Sequence, residues 1–304
     1  MTTSTTGGDE RETGSLMRSL PPERAGTAAS PDLIEKRAQF GGRAYDGPIP
    51  LDWSAPGGVS CAVLDGGGDC TVLYLHGGGY RMGSASAYVP YGARLAAGSG
   101  ARVVIVDYRL APEAPYPAAV RDAAAVYAAL RDEAPARPII IAGDSAGGGL
   151  AAALAVLASR AGALPPDGIA VLSPWLDMRC QGSTYATATD PIFDLATAKT
   201  ARASYLQGHD ESDPLVSPIL ADPASFPPTL IQVGTTESLL SDALTLAASL
   251  IRSGVSCELH AVAQRGHTWP LVQPSHPDAT AAIEALNAFI RRVGARRTNT
   301  ADPG

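Results

Sequence analysis

The sequence predicts an α/β fold, in which a mostly parallel central sheet carries helices on both faces. Short apolar runs, typical of buried strands, alternate with longer segments in which apolar residues recur every three or four positions. This alternation covers most of the chain, which is the pattern of strand–helix–strand crossovers. With 304 residues and a hydrophobic fraction of 45%, the chain is long and apolar enough for one large domain.

The predicted elements follow one another in a regular order. A short helix is predicted at residues 31–40, because Pro31 follows Ser30 and Asp32 lies in the first turn. Strands are then predicted at residues 71–75, 102–106, 138–142, 168–172, 229–233 and 256–262. Helices are predicted between or after them at residues 88–97, 118–133, 145–161, 238–253 and 278–292. Most of the strand segments are apolar throughout, so we expect both faces of the sheet to be covered.

Three segments fall outside this alternation. Residues 1–20 lack periodicity, so we predict a mobile tail there and a single domain over residues 21–304. Residues 178–227 contain a helical segment at 196–206 but no convincing strand. An insertion of this kind between core strands is typical of a lid or cap. Residues 291–304 are basic and then polar, and we expect them to fray.

The composition argues against several kinds of partner. The formal net charge of −7 disfavours nucleic acid and anionic membranes. The four cysteines form no C-x-x-C pair, which is typical of a reducing compartment rather than of a disulfide framework or zinc site. The sequence shows neither a signal-peptide pattern nor an apolar run of membrane-spanning length. We therefore expect a cytoplasmic protein that binds neither nucleic acid nor membranes.

The most informative motif is a Gly-x-Ser-x-Gly pentapeptide, Gly143-Asp144-Ser145-Ala146-Gly147. The pentapeptide alone is weak evidence in a chain rich in glycine and alanine. Here, however, it directly follows a predicted strand and directly precedes a predicted helix. At such a strand-to-helix turn the serine hydroxyl is held out of the sheet, and small neighbours let other groups approach it. This context predicts that Ser145 is a nucleophile.

A nucleophilic serine needs a base, and the chain contains five histidines. Four of them fall in places with another expected role: a glycine motif (His76), the expected cap (His209), a strand (His260) and the start of the last helix (His276). His267 instead lies in the loop after the last strand. Open α/β sheets place their sites in loops beyond the carboxyl ends of strands. We therefore predict that His267 is the base.

The base in turn needs a carboxylate that orients it and stabilises its protonated form. Two carboxylates follow the strand at 229–233, namely Glu237 and Asp242. Glu237 lies in the loop directly after the strand, where it can face the histidine loop. Asp242 lies inside the next helical segment, where a solvated or capping role is the alternative. The residues favour Glu237 and leave Asp242 open.

A second glycine motif, His76-Gly77-Gly78-Gly79-Tyr80, follows the strand at 71–75. Consecutive glycines let backbone N–H groups face a developing oxyanion without obstruction by side chains. The N–H of Ala146, next to the serine, is a further donor. The motif lacks the Gly-Lys-Ser/Thr of a phosphate loop and the third glycine of a dinucleotide fingerprint. It therefore predicts an oxyanion hole.

Together these motifs resemble the hormone-sensitive-lipase-like branch of the α/β-hydrolases, the bacterial family IV esterases. The resemblance runs from about Tyr74 to His267 and includes, besides the two glycine motifs, Asp107-Tyr108-Arg109-Leu110-Ala111-Pro112-Glu113, Pro115-Tyr116-Pro117-Ala118, Ser173-Pro174-Trp175-Leu176-Asp177 and Asp213-Pro214-Leu215-Val216-Ser217-Pro218. It implies an α/β-hydrolase fold that needs no metal or cofactor. Ser145 would be the nucleophile and His267 the base, and the oxyanion donors would be Gly78, Gly79 and Ala146.

One position departs from the family pattern, which usually has Asp-Pro-Leu where this chain has Glu237-Ser238-Leu239. The alignment from this position to His267 needs no gap, which supports Glu237 over Asp242 although the residue type differs. The resemblance also implies a cap formed by about residues 21–45 and 178–213, in agreement with the break in the alternation.

Several residues near these motifs have expected supporting roles. Asp144 is expected to be structural, either orienting the glycine loop or satisfying nearby N–H groups, and the segment from Asp107 to Glu113 is expected to shape the rim of the site. Trp175 and Asp177 are expected to support the site from behind. Four cap side chains either line a substrate pocket or form the cap's own core: Tyr185, Ile192, Phe193 and Tyr205.

The leading hypothesis is a serine carboxylesterase that cleaves small soluble esters or lactones through an acyl-enzyme. An acyltransferase or lactone-forming enzyme would use the same residues and differ in how the cap excludes water. A non-catalytic small-molecule receptor is disfavoured, because receptors in the wider family have lost the histidine that His267 provides. The resemblance also suggests a homodimer, since the last strand and helix form the dimer face in some relatives.

Overall fold

An eight-stranded, mostly parallel sheet forms the centre of the computed structural model, which describes residues 9–42 and 44–300. The strand order is β1-β2-β4-β3-β5-β6-β7-β8. Strand β2 is antiparallel to both of its neighbours, and all other pairs are parallel. The strands are β1 (Leu51–Ser54), β2 (Cys61–Asp65), β3 (Thr71–Leu75), β4 (Arg102–Val106), β5 (Ile139–Asp144), β6 (Gly168–Leu172), β7 (Thr229–Gly234) and β8 (Cys257–Val262). The predicted α/β fold is confirmed.

Helices cover both faces of this sheet. One core contains α1, α4, α5 and α8, and the opposite core contains α3 and α10. The helices are α1 (Asp9–Arg18), α2 (Pro31–Gln39), α3 (Ala85–Ser99), α4 (Ala118–Glu133), α5 (Ala146–Ala161), α6 (Thr184–Thr187), α7 (Leu195–Leu206), α8 (Leu240–Arg252), α9 (Trp269–Val272) and α10 (Pro277–Thr300). Across residues 9–42 and 44–300, no helix is both long and apolar enough to cross a membrane.

Burial on both faces explains why the central strands read as continuous apolar runs. In β3, Leu73 and Leu75 belong to one core, whereas Val72 and Tyr74 belong to the other. Successive side chains of a strand point to opposite faces, so every position of a doubly covered strand must be apolar. All six strands predicted from residue 71 onward are present, with ends that differ by at most a few residues.

The two antiparallel strands at one edge of the sheet, β1 and β2, were not predicted from the sequence. Strand β1 is short and largely exposed, so it has no apolar pattern that could reveal it. It is held by pairing with β2, from Leu51 opposite Leu64 to Ser54 opposite Cys61. Such pairing is a long-range contact that a single sequence does not display.

The prediction of a mobile tail over residues 1–20 is wrong for residues 9–20. Helix α1 begins at Asp9, and Leu16 and Leu20 are buried against α4 and α5 in the main core. The Ser15 hydroxyl also donates to the carbonyl oxygen of Ala161 at 2.6 Å. The helix is polar along most of its length, so its stability comes from these tertiary contacts rather than from its own periodicity. Residues 1–8 lie outside the described residues.

The C-terminal helix also extends further than expected. Fraying was predicted for residues 291–304, but α10 continues to Thr300. Ile290 and Val293 are buried in the core that α10 shares with α3. Packing on this face explains the continuation of the helix past the predicted end at 292. Residues 301–304 lie outside the described part of the chain.

Helices α2 and α7, from the two segments predicted to form a cap, contact the loops that follow the carboxyl ends of the strands. In helix α2, Arg37 binds Glu113 with two hydrogen bonds and donates a third to the carbonyl oxygen of Arg81, just beyond the loop after β3. Between β6 and β7, helix α7 packs on the same loop, where a Cβ atom on Gly79 would lie 3.3 Å from the Ala201 side chain. The assignment of residues 21–45 and 178–213 as a cap stays a prediction, with which these contacts agree.

The packing of α1 gives a direct test of the corrected N-terminus. We expect Leu16→Ala to lower the free energy of unfolding by about 2–5 kcal/mol, because it leaves a cavity under a fully buried side chain. The measurement is urea denaturation. The matched control is Arg18→Ala, an exposed position on the same helix, with an expected change within about 0.5 kcal/mol. Equal stability of the two variants would show that α1 does not pack on the core.

Candidate active site

Ser145 lies at the sharp turn between β5 and α5. Its φ of 53° and ψ of −121° place a non-glycine residue outside the regions that L-residues favour. The Ser145 N–H donates to the Leu172 carbonyl oxygen at 2.9 Å, and the Ser145 carbonyl oxygen accepts from the N–H of Trp175 at 2.9 Å. These bonds hold the strained backbone and leave the side-chain hydroxyl free to face a neighbouring loop.

Gly147 shows why the motif ends in a glycine. A Cβ atom at this position would lie 2.0 Å from the carbonyl oxygen of Leu75 and 2.5 Å from that of His76. The first turn of α5 therefore packs directly on the backbone at the end of β3, which no side chain would allow. This close approach places Ser145 beside the glycine motif that follows β3.

His267 reaches Ser145 from the loop after β8. Its Nε2 atom lies 2.9 Å from Ser145 Oγ, and its Nδ1 atom lies 3.2 Å from Glu237 Oε2. All three side chains are buried, with Ser145 and His267 each 4% exposed and Glu237 0% exposed. The structure thus brings together the three residues that the sequence selected, at distances suited to a hydrogen-bonded relay.

Glu237 is held by groups other than the histidine. Its Oε1 atom accepts hydrogen bonds from the Ser173 hydroxyl and the Gly234 N–H, both at 2.7 Å. The same Ser173 oxygen accepts from the N–H of Thr268 at 3.1 Å. Ser173 therefore ties the carboxylate to the histidine loop. Sequence reasoning did not assign it this role, although its position after β6, in the Ser-Pro-Trp-Leu-Asp motif, is a signal for it.

Asp242, the alternative carboxylate, is engaged elsewhere. Its Oδ2 atom accepts from the N–H groups of Leu176 and Asp177, both at 3.1 Å, and from the Tyr185 hydroxyl at 3.0 Å. Burial raises the pKa of Asp242 to about 7, against the opposing effect of these hydrogen bonds. Asp242 thus supports the turn after β6 and helix α6. Of the two carboxylates, Glu237 is the one bonded to His267.

The charges around His267 favour its protonated form. Burial of the ring is the largest single effect, and it lowers the pKa of His267. The hydrogen bond and the charge of Glu237, together with the charges of Asp190 and Asp144, raise this pKa and outweigh burial in sum. The net pKa therefore lies above the usual value, which assists a base that must hold the proton it removes.

The glycine loop after β3 presents N–H groups near the serine. Gly78 has a φ of 117°, and a Cβ atom there would lie 2.2 Å from the Met82 carbonyl oxygen. Among the described residues, no acceptor is bonded to the N–H of Gly78 or Gly79. Ala146 is the first residue of α5, where helical N–H groups have no partner within the helix. These are the three donors predicted for an oxyanion hole, and their role stays a prediction.

The Asp144 side chain, at the end of β5, holds the glycine loop after β3 in place. Its carboxylate accepts from the Gly77 N–H at 3.0 Å, the Tyr74 hydroxyl at 2.8 Å and the Tyr88 hydroxyl at 3.0 Å. Burial raises the pKa of Asp144 to about 6, although the hydrogen bonds oppose the shift. The contact with Gly77 supports the expected structural role, because it fixes the first glycine of the loop.

Among the described residues, Ser145 has no hydrogen bond to any of the other four histidines. His76 is fully buried and stacks on Tyr108, with ring centroids 4.2 Å apart, and burial lowers its pKa to about 4. His209 bonds to Asp213 at 2.8 Å. His260 lies within β8, and His276 accepts a hydrogen bond at the start of α10. His267 is thus the histidine bonded to Ser145.

Three of the four cap side chains singled out from the sequence are buried, and the fourth is exposed. Tyr185, Phe193 and Tyr205 are each at most 5% exposed, whereas Ile192 is 47% exposed. Tyr205 stacks on Tyr80 with centroids 3.8 Å apart. Phe193 stacks on the His267 ring with centroids 5.4 Å apart. Phe193 therefore lies against one face of the His267 ring, and Tyr205 lies against Tyr80 of the glycine motif.

No group of three or more His, Cys, Asp or Glu side chains within the described residues is arranged to hold a metal ion. The expectation that the protein needs neither metal nor cofactor stays a prediction.

Comparison with known proteins places the chain among ester hydrolases. The family model of the alpha/beta hydrolase fold matches residues 72–271. The chain is 38% identical over 224 residues to an acetyl-hydrolase of Streptomyces hygroscopicus, covering 73% of this chain and 75% of that protein. It is 35% identical over 226 residues to the carboxylesterase NlhH of Mycobacterium tuberculosis, covering 69% of this chain and 70% of that protein.

Solved structures show the same relationship. An esterase from the bacterial hormone-sensitive lipase family superposes with a TM-score of 0.81 and 33% identity, covering 95% of this chain and 99% of that one. A hormone-sensitive lipase from a metagenome library superposes with a TM-score of 0.81 and 37% identity, covering 88% of this chain and 93% of that one.

The close approach at Gly147 can be tested by adding one methyl group. We expect Gly147→Ala to destabilise the protein by about 1–3 kcal/mol, because the new Cβ atom would overlap the end of β3. The control is Gly266→Ala, where the nearest atom to a new Cβ would lie 3.8 Å away. Thermal unfolding followed by circular dichroism compares the two. A Gly147→Ala variant as stable as the control would contradict the packing described for this turn.

Proposed function

Because the chain belongs to the alpha/beta hydrolase fold family, among the bacterial hormone-sensitive lipase esterases, we propose that it is a carboxylesterase with Ser145 as nucleophile. His267 is the base and Glu237 the acid that orients it. The observation that carries this proposal is the continuous pair of contacts from Ser145 Oγ to His267 Nε2 at 2.9 Å and from His267 Nδ1 to Glu237 Oε2 at 3.2 Å.

The proposed reaction has two halves. His267 Nε2 accepts the Ser145 proton as Oγ attacks the ester carbonyl, and the protonated imidazole then gives this proton to the departing alkoxide. Water attacks the resulting acyl-enzyme as His267 Nε2 takes its proton, and the imidazolium then gives this proton to Ser145 Oγ as the acid is released. Glu237 keeps the Nδ1 proton in place and stabilises the imidazolium in both halves.

The tetrahedral oxyanion would be stabilised by the N–H groups of Gly78, Gly79 and Ala146. Each belongs to backbone held in place beforehand, by Asp144 on one side and by the start of α5 on the other. Donors that need no rearrangement stabilise developing charge best, and the loss of one costs about 10²–10³ in rate in another serine hydrolase.

Small soluble esters, including lactones, are the proposed substrates. The relatives named acetyl-hydrolase and carboxylesterase support ester cleavage, and the first of these supports a short acyl group. The Phe193 ring is buried against the His267 ring, which restricts the space on that side of the histidine and also favours a small acyl group over a long chain.

Replacement of the nucleophile tests the proposal most directly. We expect Ser145→Ala to lower kcat for p-nitrophenyl acetate by about 10⁶, the loss seen for the nucleophile of another serine hydrolase. The wild-type protein should be labelled on Ser145 by a fluorophosphonate probe, and the variant should not. Thermal unfolding of the variant controls for folding. Normal turnover without Ser145, or no labelling of the wild type, would overturn the mechanism.

Substitution of the two carboxylates after β7, Glu237 and Asp242, should have very different effects on kcat. We expect Glu237→Gln to lower kcat by about 10²–10⁴, since the imidazolium loses its partner. Asp242→Asn removes a charge that is not bonded to His267, so it should change kcat by less than about tenfold. The measurement is kcat for p-nitrophenyl acetate, with urea denaturation to separate activity from stability. A larger loss in Asp242→Asn would move the acid to that residue.

The pH dependence gives an independent test of Glu237. The base must be neutral, so kcat/KM should rise with pH through the pKa of His267. Glu237 raises this pKa, and its replacement by Gln should therefore move the acid limb of the profile to lower pH. The Asp242→Asn variant is the matched control and should keep the wild-type limb. A shift to higher pH in Glu237→Gln would contradict the assigned pairing.

A further inference from the structure

A segment between α6 and α7 covers one face of the His267 ring. Phe193 is 5% exposed, and its ring lies nearly parallel to the imidazole, with an interplanar angle of 19° and centroids 5.4 Å apart. The same ring meets Trp175 edge-on at 5.1 Å, and Trp175 is 0% exposed. Phe193 is therefore wedged between the histidine and a rigid part of the core.

Asp190 fixes this segment in place. One of its carboxylate oxygens accepts from the N–H groups of Ile192 and Phe193, at 2.9 and 3.1 Å. The other accepts from the N–H of Ser238 at 3.3 Å. Ser238 directly follows Glu237 in the chain. A single carboxylate, 6% exposed, thus joins the segment that carries Phe193 to the loop that carries the proposed acid.

We propose that Asp190 is a positioning residue for His267, because it holds the Phe193 ring flat against the imidazole. This inference rests on the proposed function, in which His267 is the base. Asp190 itself does not touch the reacting atoms. It acts through the backbone of Phe193 and through the loop after β7.

The geometry of an imidazole explains the need for such a contact. The bonds to Ser145 and Glu237 act at the two ring nitrogens, in the plane of the ring. The ring turns about the χ1 and χ2 torsions of His267, and this rotation moves the nitrogens out of line with their partners. A flat contact on the face of the ring opposes this rotation. It also keeps water from that face while the imidazole carries a proton.

The charge of Asp190 adds an effect that a neutral tether would lack. Three carboxylates face His267 from different elements: Glu237 after β7, Asp190 before α7, and Asp144 at the end of β5. Each raises the pKa of His267, with Glu237 contributing most. Removal of the Asp190 charge should therefore lower this pKa by less than removal of Glu237 does. A purely structural role of Asp190 would leave the pH profile unchanged, whereas a residue that acts on the base would shift it.

The test compares Asp190→Asn with Asp194→Asn in the full-length protein. Asp194 is an exposed carboxylate in the same segment that caps α7 by accepting from the Thr197 N–H, so it controls for the loss of a charge and a cap. Kinetics on p-nitrophenyl acetate and p-nitrophenyl butyrate are measured as a function of pH. Asp190→Asn keeps one acceptor oxygen but places an NH2 group against the Ser238 N–H, so it breaks the link to the loop after β7 and removes the charge. We expect kcat about ten- to a hundredfold lower, KM within about twofold, and the acid limb of kcat/KM at lower pH. Asp194→Asn should match the wild type.

Phe193→Leu supplies the second variant, because it keeps the hydrogen bonds of Asp190 and removes only the flat ring. We expect kcat to fall by the same factor for both esters, with KM little changed, and the rate of fluorophosphonate labelling of Ser145 to fall in parallel. If Asp190→Asn does not fold, this variant decides the question alone.

Two outcomes would overturn the inference. One is an Asp190→Asn variant with wild-type kcat and pH profile. The other is a Phe193→Leu effect confined to KM or different for the two esters, which would make Phe193 a substrate contact. Ser145→Ala is assayed in parallel. If activity depends on Ser145 while Asp190→Asn behaves like the wild type, the proposed function stands and only the role of Asp190 fails.

Discussion

The direct contact between helix α5 and the end of strand β3 is the constraint on which the rest of the site depends. It exists because residue 147 has no side chain, so that the first helical turn rests on the carbonyl groups of Leu75 and His76. The same contact sets the distance from the serine to the glycine loop. A helix even slightly further away would separate Ser145 and Ala146 from Gly78 and Gly79, and the predicted donors would no longer converge with the proposed nucleophile. One absent methyl group therefore aligns two parts of the proposed machinery.

Around this contact the protein buries an unusual set of carboxylates. Glu237, Asp242, Asp144 and Asp190 are all at most 6% exposed. A buried charge is costly unless hydrogen bonds compensate it, and each of these groups accepts bonds from backbone N–H groups or hydroxyls. Three of them fasten loops to one another, and Glu237 alone is bonded to a histidine. The loops at the carboxyl ends of the strands are thereby fixed by polar contacts where apolar packing is not available.

The sequence predicted the central sheet well because its strands are covered on both faces, which leaves an unmistakable apolar pattern. Ser145 and His267 could also be predicted from the sequence, since the motif around Ser145 and the position of His267 after a strand indicate their chemistry. Glu237 and Asp242 could not be separated from the residues alone, because both follow β7 and the direction of a side chain is a property of the folded loop. Ser173 and Asp190 were not assigned their roles at all. Ser173 bonds the Glu237 carboxylate and the Thr268 N–H, and Asp190 links its own segment to the N–H of Ser238. These partners are far away in the chain, and such contacts leave no trace in residue type. The helix at Asp9–Arg18 was not predicted for a related reason, because its stability depends on its contacts with the core.

The order of the strands has a consequence for how the protein would lose activity. Strands β5, β6, β7 and β8 lie side by side, and the loops after them supply Ser145, Ser173, Glu237 and His267 in the same order. The proposed base is therefore carried by the loop after the outermost strand. Strand β8 is only partly buried along its length, whereas β5 and β7 are buried throughout. Edge elements of this kind open locally at a lower free energy than the centre of a sheet. Inactivation by heat or denaturant would then precede the collapse of the core, so enzymatic activity reports on the sheet margin and spectroscopic unfolding reports on its centre.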